Sequence, residues 1–144
     1  MLFDLPAVAD RARANFARKG LAQRAMAVGG DFVADALPQG ADIASLIRVA
    51  FDHHDTKVLA ILRSVRAALP AGGTLLLAEP MSGTPGAEAM GDAYFGFYLL
   101  AMGRGRPRTV SQLTALLQAA GFGDVRTLRT SLPLQTGFIV ARAR

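Results

Sequence analysis

A chain of 144 residues that is 51% hydrophobic and 19% charged is the size of one domain with a real core, and is neither disordered nor fibrous. It has no cysteine, which excludes a disulfide frame, a thiolate metal site and a cysteine nucleophile, so catalysis would rest on His, Asp, Glu or a bound cofactor. No apolar run approaches the roughly 20 residues that cross a bilayer, and the N-terminus lacks the layout of a signal peptide, so a cytoplasmic location is the default expectation.

In chain order, Leu2 to Pro6 reads as a short strand ending in a turn, with Pro6 suited to the first turn of a helix. That helix is predicted to run to about Lys19, with Gly20 as its stop and Val8, Ala9, Ala12 and Phe16 on one face. Ala25 to Val28 is a buried strand followed by the turn Gly29-Gly30-Asp31-Phe32. Asp42 to Val49 is mostly apolar along its length, as expected of a strand covered on both sides. Asp55 is placed to cap a helix whose Val58, Ile61, Leu62, Val65 and Leu69 share a face, and Pro70 ends it.

Gly73 to Glu79 is the clearest buried strand, with an acid at its C-terminal end. The turn-rich connection Pro80 to Ala87 leads into Glu88 to Met102, which is apolar nearly all round. The basic segment Gly103 to Arg108, GRGRPR, reads as a solvated, flexible turn between helices, with an anionic partner or a peripheral membrane contact as its functional alternatives. No aromatic residue is interleaved with its arginines, so nucleic acid is not the expected partner. Thr109 and Gln112 have the capping-box spacing for a helix that stops near Gly121. Two strands, Asp124 to Thr130 and Gly137 to Ala143, close the chain around a loop containing Pro133.

Strands alternating with helices predict an α/β fold with a mostly parallel sheet. In such sheets ligands bind beyond the carboxyl ends of the strands, which gathers Asp4, the Gly29 to Phe32 turn, the segment after Val49 and Glu79 along one rim. A carboxylate at a strand end offers two acceptor oxygens to a ribose diol, and Asp4 is placed for that. Asp31 is placed to accept from an adenine amino group, Phe32 offers a flat apolar face, and the glycines let the backbone come close. Taken singly each is weak, since Asp4 is equally able to cap the following helix. A dinucleotide-binding half is the other ligand class for an acid after a strand, but no Gly-x-Gly-x-x-Gly follows a strand here.

These residues carry a resemblance. FDLPAV at Phe3 to Val8, GGDF at Gly29 to Phe32, the Asp42 strand, ALPAGGTLLLAEPM at Ala68 to Met81 and LLQAAGF at Leu116 to Phe122 resemble the C-terminal catalytic domain of S-adenosylmethionine-dependent O-methyltransferases of the plant caffeate and flavonoid type. SLIRVAFDHHD and Gly91 to Thr109 are most similar to the bacterial hydroxyneurosporene methyltransferases of carotenoid synthesis. The resemblance implies a Rossmann-like three-layer sandwich with an antiparallel last strand, and S-adenosyl-L-methionine as cofactor. The acceptor would be a hydroxyl of an apolar small molecule, such as a hydroxylated carotenoid. It implies cofactor contacts from Asp4, Leu5, Gly30, Asp31 and Phe32, and an acceptor wall from Phe95, Tyr98 and Met102. The full-length form is implied to be a homodimer.

The same resemblance expects a catalytic His where this chain has Phe51, ahead of Asp52. Glu79 matches one of two acids supporting that His, and the second falls at or near Pro107. His53 and His54 are the alternative proton acceptors, beside a plain reading as solvent-facing residues at a helix start. The family's first strand and glycine-rich loop precede the FDLP strand and are not in this sequence, nor is its N-terminal helical dimerisation region. Residues 1–144 are therefore expected to be the C-terminal portion of a longer enzyme, with two strand edges unpaired. By itself the portion is expected to be inactive and marginally stable. A non-catalytic module with a residual nucleoside site is the alternative.

Overall fold

The computed structural model describes residues 1–133 and 135–144, and the chain falls into two compact units, Met1–Gln39 and Gly40–Arg144. The predicted loop around Pro133 includes residue 134, which lies outside the described residues.

In the smaller unit, β1 (Leu2–Asp4) leads into α1 (Pro6–Arg18), which returns the chain to β2 (Ala27–Gly29). Pro6 stands at the helix start, where its missing N–H costs nothing, and Lys19 closes the helix just before Gly20 at φ 67°. β1 and β2 pair in parallel with Leu2 opposite Ala27 and Asp4 opposite Gly29. Of the predicted apolar face of α1 only Ala9 is buried; Ala12 and Phe16 are half-buried and Val8 is exposed. Arg13 fastens the helix to the strand through a 2.6 Å hydrogen bond from Nη1 to the Ala27 carbonyl.

The larger unit holds a four-stranded sheet in the order β3 (Ile43–Ile47), β4 (Thr74–Glu79), β6 (Gly137–Ala143), β5 (Phe122–Leu128). β3 and β4 are parallel, and β6 runs antiparallel to both of its neighbours, as expected for the last strand. Between the strands lie α2 (Asp55–Ala68), α3 (Phe95–Met102) and α4 (Val110–Ala119), with a 3-10 turn at Ala50–Asp52 and a π-helical segment at Glu88–Tyr94 entering α3. Val58, Ile61, Leu62 and Val65 of α2 are buried, as are Leu113 and Leu117 of α4, which packs on α2. On the sheet, Leu75 pairs with Ala141 and Leu77 with Ile139, and all four are at most 1% exposed.

β3 departs from expectation. Ala44 and Leu46 lie opposite Leu75 and Leu77 and are half-buried, whereas Ile43 and Ile47 are 66% and 59% exposed. Among the described residues β3 pairs only with β4 and is an edge strand, so its apolar run is covered on one face within the unit and open on the other. β1 likewise has a single strand neighbour among the described residues.

The Thr109 capping box forms as the spacing predicts: Thr109 Oγ1 accepts the Gln112 N–H, and Gln112 Oε1 accepts the Thr109 N–H. Thr109→Ala is expected to cost about 1 kcal/mol in chemical denaturation, because it orphans one helix-end donor. No helix among the described residues is long and apolar enough to cross a membrane.

Candidate functional site

Parallel pairing in the smaller unit puts Asp4 and the Gly29–Phe32 turn at the same end of the two-stranded sheet, because Asp4 is opposite Gly29 and its carbonyl accepts the Gly30 N–H at 2.9 Å. Asp4 is half-buried, and its Oδ1 takes the Leu5 N–H at 2.8 Å. One such bond leaves acceptor capacity on a carboxylate for a vicinal diol. Gly30 makes room for a side chain: a Cβ there would lie 2.5 Å from the tip of the Phe3 ring, which would have to move. Asp31 is exposed, and its Oδ1 accepts the Val33 N–H at 2.8 Å, so it shapes the turn. Phe32 is half-buried beside it. The half-exposed carboxylate at a strand end and the tight glycine turn fit the ribose and adenine parts of a nucleoside cofactor.

In the larger unit, Glu79 closes β4 at 1% exposure. Its Oε1 accepts the N–H groups of Val49 and Ala50 at 3.0 and 2.8 Å, and its Oε2 that of Phe51 at 3.4 Å. Burial pushes its carboxyl up to about 7; the three N–H donors pull it down and the nearby Asp52 pushes it up further. Phe51, where the resemblance expects the base, is 4% exposed. Its ring meets Phe95 edge-on and stacks on Tyr98, each at 6.1 Å between centroids. Arg48, in the left-handed region at φ 56°, sets its guanidinium over the Phe51 and Phe95 rings at 5.4 and 5.3 Å.

The two histidines differ. His53 is half-buried, and burial followed by the Lys57 charge holds its imidazole below the usual histidine range against the opposing pull of Asp52. A neutral imidazole is the form that accepts a proton. His54 is exposed, precedes α2, and with Leu99, Leu100 and Gly103 to Pro107 lines a groove of about 310 Å³. Of the expected acceptor wall, Phe95 is core at 5% exposure, while Tyr98 and Met102 are 39% and 49% exposed on the same helix.

The reading of Gly103 to Arg108 as a solvated, flexible turn is corrected by Arg108. This residue is 2% exposed, and its guanidinium donates to Asp55 Oδ1 and to the carbonyls of Ala50 and His53 at 2.8, 2.8 and 2.6 Å. The neighbouring Arg106 donates its backbone N–H to the Phe51 carbonyl at 3.0 Å and pairs with Asp55 Oδ2 at 3.3 Å. An arginine-rich glycine loop reads as solvent in a linear sequence because nothing local announces that distant carbonyls will surround one of its charges. Asp52 Oδ1 is enclosed and takes no hydrogen bond among the described residues, a position that no local sequence signal marks. No cluster of His, Asp and Glu fit for a metal occurs among those residues.

Residues 1–123 match the O-methyltransferase domain family model. The demethylspheroidene O-methyltransferase of Cereibacter sphaeroides is 46% identical over 126 residues, covering 88% of this chain and 33% of that protein. The Rhodobacter capsulatus demethylspheroidene O-methyltransferase is 41% identical over 145 residues, covering 97% and 34%. Among solved structures, human N-acetylserotonin methyltransferase in complex with S-adenosylmethionine superposes with a TM-score of 0.80 at 28% identity, covering 97% of this chain and 39% of that one. The chain spans about a third of the length of the curated relatives it matches. With the family model matched over most of its length and its strand-end acid and glycine turn in place, the chain belongs to the O-methyltransferase domain family.

Proposed function

We propose that this chain is the C-terminal portion of an S-adenosylmethionine-dependent O-methyltransferase whose acceptor is a hydroxyl of an apolar small molecule, a hydroxylated carotenoid. The observation that carries the reading is the identity with two demethylspheroidene O-methyltransferases along nearly the whole chain. The cofactor supplies an electrophilic methyl on its sulfonium, which leaves the protein to align the acceptor oxygen and take up a proton.

In this reading Asp4 holds the ribose hydroxyls, Asp31 meets the adenine amino group, Phe32 packs on the ring, and Leu5 and the Gly30 backbone complete the nucleoside contacts. His53, held neutral, accepts the proton, with His54 as the alternate acceptor. Glu79 supports the segment that carries them by binding its backbone. Phe95, Tyr98 and Met102, at helical spacing on α3, give the acceptor an apolar wall. An unreactive phenylalanine at position 51 suits an acceptor that is itself apolar, since the buried rings of Phe51 and Phe95 pack as one aromatic cluster with the exposed Tyr98.

Calorimetric titration with S-adenosylhomocysteine tests the cofactor half. Saturable binding is expected, weakened at least about tenfold in Asp4→Asn, which keeps an oxygen for the Leu5 N–H but replaces one ribose acceptor by a donor. Equal affinity in the variant would remove Asp4 from the site. The buried Phe51 favours a second reading, a non-catalytic module with a residual nucleoside site. Binding without methyl transfer in the complete enzyme would select it.

A further inference from the structure

Ala50 to His53 is a short turn with little to hold it locally. No side chain caps it, Val49 before it has φ −112° and ψ −48°, and His53 after it is already extended. Its conformation is set from outside by two buried charges on opposite sides of the peptide chain. Glu79 takes the N–H groups of Val49, Ala50 and Phe51, and Arg108 takes the carbonyls of Ala50 and His53. Ala50 thus has its N–H on a carboxylate and its carbonyl on a guanidinium. Between the two Arg108 contacts, the Phe51 carbonyl accepts the Arg106 N–H, and Gly105 lies so close that a Cβ would stand 2.3 Å from that oxygen.

We propose that Arg108 is a positioning residue for the reaction centre, setting the orientation of Asp52 and His53 by fixing the carbonyls on either side of them; this rests on the methyltransferase reading only for its catalytic consequence. The planar guanidinium suits this task. It spends Nε on Asp55, Nη1 on Ala50 and, at 3.4 Å, on Arg106, and Nη2 on Asp55 and His53, so one planar fork gathers four acceptors from separate positions. Asp55, the first residue of α2, balances the charge and ties the turn to the helix start. A lysine would carry the charge without the fork.

Two readouts do not depend on methyl transfer. The first is amide hydrogen exchange at Val49, Ala50, Phe51 and Arg106; the second is the NMR titration of His53, which Asp52, Lys57, Arg104 and Arg108 face. In Arg108→Met, exchange at those amides is expected to speed at least tenfold while Leu113 and Leu117 in α4 keep their protection, and His53 is expected to titrate closer to an ordinary histidine. Arg108→Lys is expected to give the same faster exchange despite retaining its charge. If Arg108→Met does not fold, Arg108→Lys and Asp55→Asn carry the test. Unchanged exchange and titration, or full rescue by lysine, would overturn the proposal. In the complete enzyme kcat is expected to fall at least tenfold in Arg108→Lys. A wild-type enzyme with no methyl transfer would sink the functional reading while leaving the exchange result to decide the positioning role.

Discussion

Between pH 4.5 and about 7 the folded chain is expected to lose stability as pH rises, by about 3 kcal/mol, and Glu79→Gln is expected to remove most of that slope. The cause is a contest at one carboxyl group. Three backbone N–H donors favour the carboxylate, while near-complete burial opposes charge and wins, so the group is held at about 7 against an ordinary 4.5. Because the folded value lies above the unfolded one, the folded chain binds the extra proton in this window. The associated stability is complete below pH 4.5 and is lost as pH climbs through 7. A proton is tolerated because it can reside on Oε2, whose one bond, to Phe51, is the longest at 3.4 Å, leaving both Oε1 bonds intact. Glutamine keeps both Oε1 bonds with no proton to lose, although its NH2 cannot accept the long Phe51 N–H contact. Urea unfolding of both forms across the range gives the answer, and parallel profiles would mean that the carboxylate stays charged and that the N–H donors outweigh burial.

Gly105→Ala is expected to destabilise the larger unit by at least about 2 kcal/mol, and Gly103→Ala by only about 1. Both glycines have positive φ, 85° and 70°, so both substitutions incur the left-handed penalty of an L residue. They differ in surroundings. A Cβ at Gly103 meets nothing within 4 Å, whereas at Gly105 it would stand 2.3 Å from the Phe51 oxygen and 2.8 Å from the Asp52 carbonyl carbon. Those neighbours are backbone, so they cannot rotate away, and the turn carrying Asp52 and His53 would have to shift. The difference between the two variants in denaturant midpoint isolates this close approach from glycine's general freedom. Equal losses would mean that the loop does not seat on the turn in solution.

Elements with strong local signals were legible in the sequence. The α2 stripe from Val58 to Leu69 is buried at every expected position, and the capping box at Thr109 forms with both of its bonds. Pro6 and Gly20 bracket α1, and the run from Gly73 to Glu79 gives β4. These succeed because period, capping chemistry and proline geometry act within one or two helical turns. Val8 and the outer face of β3 were misread for the converse reason: an apolar residue is marked for burial by its type, yet whether anything covers it depends on segments far along the chain.

The amino-acid sequence by itself determined the class of fold, the order of its strands and helices and the family, since each is written in residue type and short-range spacing. Tertiary structure alone decided what the charges do. Glu79 serves the backbone amides of a turn, Phe51 is core, and Arg108 leaves a basic loop to bind carbonyls 55 and 58 residues earlier. The physical reason is that a buried charge is tolerated only where several hydrogen-bonding groups converge on it. Such convergence is a property of packed segments and not of any one of them.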